Sequence, residues 1–412
     1  MKKSQTVYVA YVGTTKTAFL KARVTDSGHP EVEALSARIA EGFDQGIVKD
    51  LAGASQTISD AVKDVVEAGS DEMLSCRLVV SNTFLKTYTF QSSIYFHGDP
   101  HPITLKDVRE AIAQTRSVAT IPLDEVIVQA VPQEFLVNDL AGVQNPIGLE
   151  ASRLGVTLRL LTLNFFDHSN LLKAFERCEL EILEVVPAVL ASAEAVLRSE
   201  EKQAGVILML IGGRATHFAC YRNSVLIDVR SIPVGADCIT DVIGKNLNLD
   251  HLDAQRIKEA FGSAIPKAEF QDELIPIPDS SGGKKTHIQR SDFESQLDAG
   301  LHQFFQILSC ELTSLQRQYS PLNQIICTGG GAQLDGFLDR IEELISPSTV
   351  RIGYPIGFKG PQGLATNPAF SAALGGIKFT SKIREDSLPA TEKQHWLLRT
   401  VDSVRNWMFE YF

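Results

Sequence analysis

Two β-rich apolar runs, Val7 to Val12 and Thr17 to Val24, stand either side of a short glycine turn, which predicts a hairpin at the start of the chain. Within Ser55 to Ala68, Ile58, Val62, Val65 and Val66 recur at helical spacing, and Arg77 to Val80 begins another apolar strand. A helix is predicted over Thr104 to Thr115, where Val108, Ala111 and Ile112 share a face. A strand follows over Val156 to Leu163 and a helix over Ser169 to Cys178. The second half repeats the opening: Val206 to Ile211, a second glycine turn, Phe218 to Arg222 and Leu226 to Ile232 make a three-strand pattern like the one at the N-terminus. An internal echo of this kind points to two related halves. Pro276 to Lys285 reads as an exposed loop, and Arg384 to Lys393 as a polar linker ahead of a C-terminal segment.

Alternating strands and helices make this an α/β chain, and 412 residues, 44% of them hydrophobic, suffice for two lobes. A formal net charge of −11 argues against nucleic acid as a partner, because phosphate backbones require a basic face. The six cysteines, at positions 76, 178, 220, 238, 310 and 327, stand singly without metal-ligand spacing and read as reduced thiols of a cytosolic protein. The apolar run after Met1-Lys2-Lys3 ends at Gly13, so neither a signal peptide nor a membrane-spanning helix is expected.

Three glycine motifs carry candidate chemistry. Gly13-Thr14-Thr15-Lys16 and Gly212-Gly213-Arg214 follow apolar strands and are suited to aiming backbone N–H groups at phosphate. In such clamps an acid just before the turn holds a divalent ion, but here Tyr11 and Leu210 stand in those places. Gly329-Gly330-Gly331 follows the apolar run Ile325 to Thr328, where the missing Cβ atoms let backbone approach a flat base or sugar. His217 lies in a strand with no ligand-spaced neighbour and reads as a packed, hydrogen-bonded residue.

The C-terminal segment has its own pattern. Leu397, Val401, Val404, Met408 and Tyr411 form one helical stripe, Trp396, Trp407 and Phe412 flank it, and Arg399, Asp402, Asn406 and Glu410 lie opposite. Such a helix suits the plane of a membrane interface; docking on the protein's own core is the other reading of the same stripe.

In order and spacing, these motifs resemble the actin/Hsp70 nucleotide-binding superfamily and, within it, the FtsA family of bacterial cell division. Gly42-Phe43-Asp44-Gln45-Gly46-Ile47-Val48-Lys49-Asp50 is similar to the family's GxxxGxVxD stretch. Val131-Pro132-Gln133-Glu134-Phe135-Leu136-Val137, with Asn145-Pro146-Ile147-Gly148 and Arg153-Leu154, is similar to its PQEF segment. Leu190 to Leu197, Ile232 to Gly235, Val350 to Gly353 and Pro368 to Gly375 follow in family order, and Trp396-Leu397-Leu398-Arg399 with Trp407 to Phe412 resembles its membrane-targeting tail.

The resemblance implies an actin-like two-lobed α/β fold with a cleft between duplicated halves. It places subdomain 1A at residues 1–83 and 156–198, an inserted subdomain 1C at 84–155, 2A at 199–238 and 305–383, and 2B at 239–304. A linker at 384–393 and an amphipathic helix at 394–412 would follow. The implied protein polymerises with copies of itself on the cytoplasmic face of the cell membrane at the division site. It binds the C-terminal peptide of FtsZ through 2B and contacts downstream division proteins through 1C. Gln255 and Lys258 match a family helix near the ribose and base.

With Tyr11, Leu210, Arg214, Ala215 and His217 all departing from the family's pattern, Mg²⁺ is not expected to be held tightly, and no significant metal-dependent turnover is expected. Nucleotide binding, with ATP as the implied ligand, stays open through Thr14, Thr15, Lys16, Arg214 and the third glycine cluster. Two alternatives also stay open, an active actin/Hsp70-type ATPase and an actin-like platform protein of pilus or secretion machinery.

Overall fold

The computed structural model describes residues 5–24, 29–66, 73–265, 273–277, 286–322, 324–345, 348–361 and 363–384, and in it the sequence repeat becomes two five-stranded sheets of one topology. In the first lobe, Gln5–Val12, Lys16–Val24 and Pro30–Ile39 form an antiparallel meander; Leu74–Val80 lies parallel to the first strand, and Leu180–Pro187 parallel to that. The second lobe repeats this with Val206–Ile211, Thr216–Arg222 and Val225–Ile232, then Gln324–Thr328 and Thr349–Ile352 in parallel. Parallel neighbours require long crossover connections, and helices supply them. Strands covered on both faces read as continuous apolar runs, as Val206–Ile211 does, every residue of it buried.

Helices Ala188–Val196 and Ser371–Arg384 pack on each other between the lobes. Ala191, Ala195, Leu374 and Ile377 share one core with Val9, Leu20 and Val79 of the first sheet and Leu208, Ala219 and Ile326 of the second. The helices approach closely because Gly375 has no side chain: a Cβ there would lie 1.7 Å from the Ala191 carbonyl oxygen.

The inserted subdomain is a four-stranded antiparallel sheet in the order Leu140–Val143, Glu125–Val137, Arg153–Asn164, Lys86–Tyr95. Helix Leu105–Val118, started by a capping box between Thr104 and Asp107, buries Val108 and Ile112 against Phe135, Leu154 and Val156. The expected boundary at residue 155 divides a single strand. Arg153–Asn164 pairs with Glu125–Val137 along its length to Asn164, so the insert's sheet continues nine residues further. Arg290–Gln318 is likewise one 29-residue helix running across the boundary expected after residue 304.

Two helices begin earlier than their hydrophobic spacing suggests. Leu51–Lys63 starts where the Asp50 carboxylate accepts from Ala52 N and Gly53 N, and Phe165–Glu176 where the Asn164 side chain accepts from Phe166 N and Asp167 N. Of the loop expected over Pro276 to Lys285, Pro276 and Ile277 lie in a strand, Leu274–Ile277, paired with Thr286–Gln289, and residues 278–285 lie outside the described residues. All six cysteines are free thiols. The linker after Arg384 and the residues predicted to meet a membrane, Trp396, Leu397, Val401, Val404, Trp407, Met408, Tyr411 and Phe412, lie outside the described residues. Among the described residues, no helix is long and apolar enough to cross a membrane.

Candidate functional site

The two lobes bring their glycine turns face to face. In the first, Gly13 N donates to Lys16 O at 2.9 Å; in the second, Gly212 N donates to Ala215 O at 2.9 Å, so both hairpins close in the same way. The segment after the second meander seats on the second turn, with Ala236 N donating to Gly212 O at 3.0 Å and Asp237 N to Gly213 O at 2.8 Å. Only glycine permits this at position 235, where a Cβ would lie 2.3 Å from Gly213 O. The third glycine motif packs on the strand leading into the second turn: Gly329 has φ +94°, and a Cβ on it would meet Ile211 O at 2.3 Å.

Together these elements enclose a cleft of about 870 Å³. Of the twelve residues predicted to meet a nucleotide, Thr14, Thr15, Lys16, Gly212, Gly213, Gln255, Lys258, Gly329, Gly330 and Gly331 line it. Gly13 and Arg214 belong to the turns without lining the cavity, and the Arg214 side chain is directed partly to solvent. Gln255 donates to Glu259 at 2.7 Å on the same helix.

Across the cleft floor the turns touch. The Arg214 backbone N–H donates to Thr14 Oγ1 at 3.1 Å, and Thr15 Cγ2 fills the space beside Gly213, only 2.2 Å from where a Cβ would sit. An amide suited to a phosphate oxygen is therefore already satisfied by a threonine hydroxyl.

The residues standing in for the acids line the cleft and are otherwise packed in the core. Leu210 is buried among apolar neighbours; Tyr11 is buried beside it, with its hydroxyl beneath the Gly13 turn, and burial pushes its phenol up to about 12. Neither offers an anionic oxygen.

The sequence reading missed Asp237. This carboxylate is 5% exposed at the first turn of helix Asp237–Leu247 and lines the cleft against Gly213. Its Oδ2 lies 3.7 Å from Arg214 Nε and 3.8 Å from His251 Nε2 and accepts no hydrogen bond among the described residues. Burial raises its pKa, with Lys258, His251 and Arg214 opposing that shift. The one available signal was an acid two positions after Gly235, easily taken for a helix-start residue.

Two lysines face the cavity in different states. Lys258 Nζ donates to Ala236 O at 3.1 Å and Thr240 Oγ1 at 2.6 Å, and burial lowers its pKa. Lys16 lies with Nζ 4.4 Å above the Phe370 ring, has no ion-pair partner among the described residues, and is pulled down to about 8 by desolvation.

His217 is hydrogen-bonded, as its position in the sequence suggested. Nε2 is 2.7 Å from Ser81 Oγ and Nδ1 is 2.7 Å from Ser231 Oγ, and burial lowers its pKa to about 4.

These residues do not fit a magnesium triphosphate. A hydrated magnesium ion is held by outer carboxylates. Here the two positions before the turns are Tyr11 and Leu210, and Asp237 faces Arg214 and His251. Among the described residues no cluster of three His, Cys, Asp or Glu side chains could hold a metal.

Known proteins match the chain along most of its length. The model of the family "Cell division protein FtsA" matches residues 208–375, and that of the "SHS2 domain inserted in FTSA" matches residues 84–162. The cell division protein FtsA of Neisseria meningitidis serogroup B is 27% identical over 387 residues, 94% of this chain and 92% of that protein. FtsA of Escherichia coli K12 is 25% identical over 404 residues, 96% and 94%. FtsA of Buchnera aphidicola is 22% identical over 408 residues, 97% of each. Among solved structures, a chain of the PilM–PilN type IV pilus biogenesis complex superposes with a TM-score of 0.63 at 16% identity, over 90% of this chain and 98% of that one. MreB 5 of Spiroplasma citri bound to AMPPNP superposes at 0.53 and 13% identity, over 92% and 98%. These likenesses establish an actin-like fold with the inserted domain.

Proposed function

We propose, from the premise that this chain belongs to the FtsA family of cell-division proteins, that it is a membrane-tethered scaffold rather than a nucleotide-driven engine. It polymerises with copies of itself on the cytoplasmic face of the cell membrane at the division site. Residues 239–304 take the C-terminal peptide of FtsZ, and the inserted subdomain offers its surface to the next subunit and to downstream division proteins. The C-terminal stripe from Trp396 to Phe412 lies in the membrane interface, where Trp396, Leu397, Val401, Val404, Trp407, Met408, Tyr411 and Phe412 bury apolar surface. One such helix binds reversibly; a row of them on a filament binds far more tightly through effective concentration.

The observation that carries this reading is the contact of Arg214 N with Thr14 Oγ1 at 3.1 Å. It joins the two lobes protein to protein at the place where actin-like enzymes put metal and phosphate, so the closed shape needs neither. The cleft behind it remains a nucleoside site, lined by Gly329, Gly330, Gly331, Gln255 and Lys258, whose occupant braces the lobes without being turned over. The likeness to the pilus protein is one of fold and favours no second reading.

Co-sedimentation with phospholipid vesicles tests the tether. The full chain should pellet with vesicles and carry FtsZ with it, and a chain ending at residue 395 should do neither; equal pelleting of the two would defeat the model. Phosphate release from ATP should stay at background with and without Mg²⁺, and turnover that depends on Mg²⁺ would return the protein to the enzymes.

A further inference from the structure

Three charge relationships in the cleft decide what its occupant can be. Lys16 is a half-buried ammonium that rests on the Phe370 ring with no carboxylate at ion-pair distance among the described residues; Glu259, which also lines the cleft, acts on it at longer range. A desolvated cation of this kind is stabilised by an anionic group arriving from the ligand. Lys258 is already committed to Ala236 O and Thr240 Oγ1, so Lys16 is the lysine of this cleft whose donors are free.

On the other side stands Asp237. Its carboxylate lies against Gly213, with oxygens 2.8 Å and 2.9 Å from where a Cβ on that glycine would sit, at the very turn a phosphate chain would have to enter. Arg214, His251 and Lys258 offset part of its charge, yet a polyphosphate entering without a divalent ion would still meet this carboxylate at close range in a partly desolvated place. The turn amide that would offset this is held by Thr14 Oγ1, and Thr15 Cγ2 occupies the gap between the turns. Gly330, Gln333, Leu334 and Phe261 also line the cleft. A Cβ on Gly330 would meet nothing within 4 Å.

We propose that the cleft takes a nucleoside monophosphate without a metal ion, its single phosphate on Lys16, and that Asp237 with the Thr14–Arg214 contact refuses a longer phosphate chain. The proposal rests on reading the cleft as a nucleoside site and specifies the class of ligand it selects. The fold's relatives include a protein solved with AMPPNP, so this chain would have inverted the preference on the same scaffold.

Calorimetric titration of the full chain with adenosine, AMP and ATP, each with EDTA and with Mg²⁺, tests it. AMP should bind about tenfold or more tightly than either adenosine or ATP, with no effect of Mg²⁺. Lys16→Gln should reduce AMP to the affinity of adenosine while adenosine binding persists, which also shows that the variant is folded. Asp237→Asn should raise ATP affinity relative to AMP. ATP binding most tightly, strengthening of ATP by Mg²⁺, or an AMP preference that survives Lys16→Gln would each overturn the proposal and leave the nucleoside site standing. Failure of all three ligands to bind would overturn both.

Discussion

The imidazole of His217 is held 2.7 Å from Ser81 Oγ, so a strand of the second lobe is tied to the end of a strand in the first. With Ser231 Oγ at 2.7 Å on the other nitrogen, a neutral ring donates one hydrogen bond and accepts the other. Burial favours that neutral form and lowers the pKa from 6.5 to about 4. The unfolded chain therefore binds a proton between those values that the folded one does not. The contribution is fully present above about pH 6.5, falls as pH drops toward 4, and levels off below. The linkage amounts to up to about 3 kcal/mol. Urea unfolding of the parent and of His217→Gln at pH 7 and pH 4.5 should give a difference that narrows on acidification; a constant difference would mean that His217 is not buried neutral.

The helix crossing between the lobes makes a second expectation. Gly375→Ala places a methyl 1.7 Å from the Ala191 carbonyl oxygen, and the two helices at the centre of the shared core must separate. Overpacking against backbone should cost about 3 kcal/mol or more. Gly330→Ala puts the same methyl into open cleft and should change stability by less than about 0.5 kcal/mol. The midpoint of denaturant unfolding distinguishes them, and similar shifts for both would refute the packing argument.

Much of this architecture was legible in the chain because it is local. The Val7–Val12 and Val206–Ile211 runs, each with its glycine turn, gave the repeated hairpins, and the apolar run ahead of Gly329 gave the third motif. The site's chemistry was less legible because its contacts are distant in sequence. Thr14 meets Arg214 across 200 residues, and Ser81 meets His217 across 136. Asp237 was hidden for another reason. An acid at a helix start is ordinary, and only the close seat of Gly235 on the second turn turns its carboxylate toward the cleft. Arg153–Asn164 crosses the boundary expected at residue 155 as one strand because it pairs along its length with Glu125–Val137, a contact across the sheet that the local pattern does not reveal.

An ionic chain ties the inserted subdomain to the second lobe. Arg159 of the insert lies 3.5 Å from Asp228, which accepts from Arg230 at 2.9 Å, and Arg230 reaches Glu311 at 2.8 Å. Asp228 is 7% exposed. Removing it leaves two guanidinium groups facing each other in a partly desolvated place, so Asp228→Ala should destabilise by roughly 3 kcal/mol. A double-mutant cycle with Arg159→Ala should recover part of that cost. Because the group is sheltered, the coupling should survive 0.5 M salt, whereas a coupling abolished by salt would place the pair at an exposed surface.

The Thr14–Arg214 contact predicts a particular order among substitutions. The hydroxyl of Thr14, which is 7% exposed, satisfies the Arg214 amide. Thr14→Val keeps the shape and removes the acceptor, leaving that N–H unpaired, at a cost of about 1–2 kcal/mol. Thr14→Ser keeps the acceptor and loses only a methyl group, at about 1 kcal/mol or less. If the contact were merely space-filling the order would reverse, since valine fills the position better than serine. The same pair reads the cleft in solution. Amide hydrogen exchange at Arg214 should be slow in the parent without any nucleotide, slow in Thr14→Ser, and faster in Thr14→Val. Exchange that is fast in the parent and slows only on adding ATP would mean that the turns stand apart until phosphate joins them.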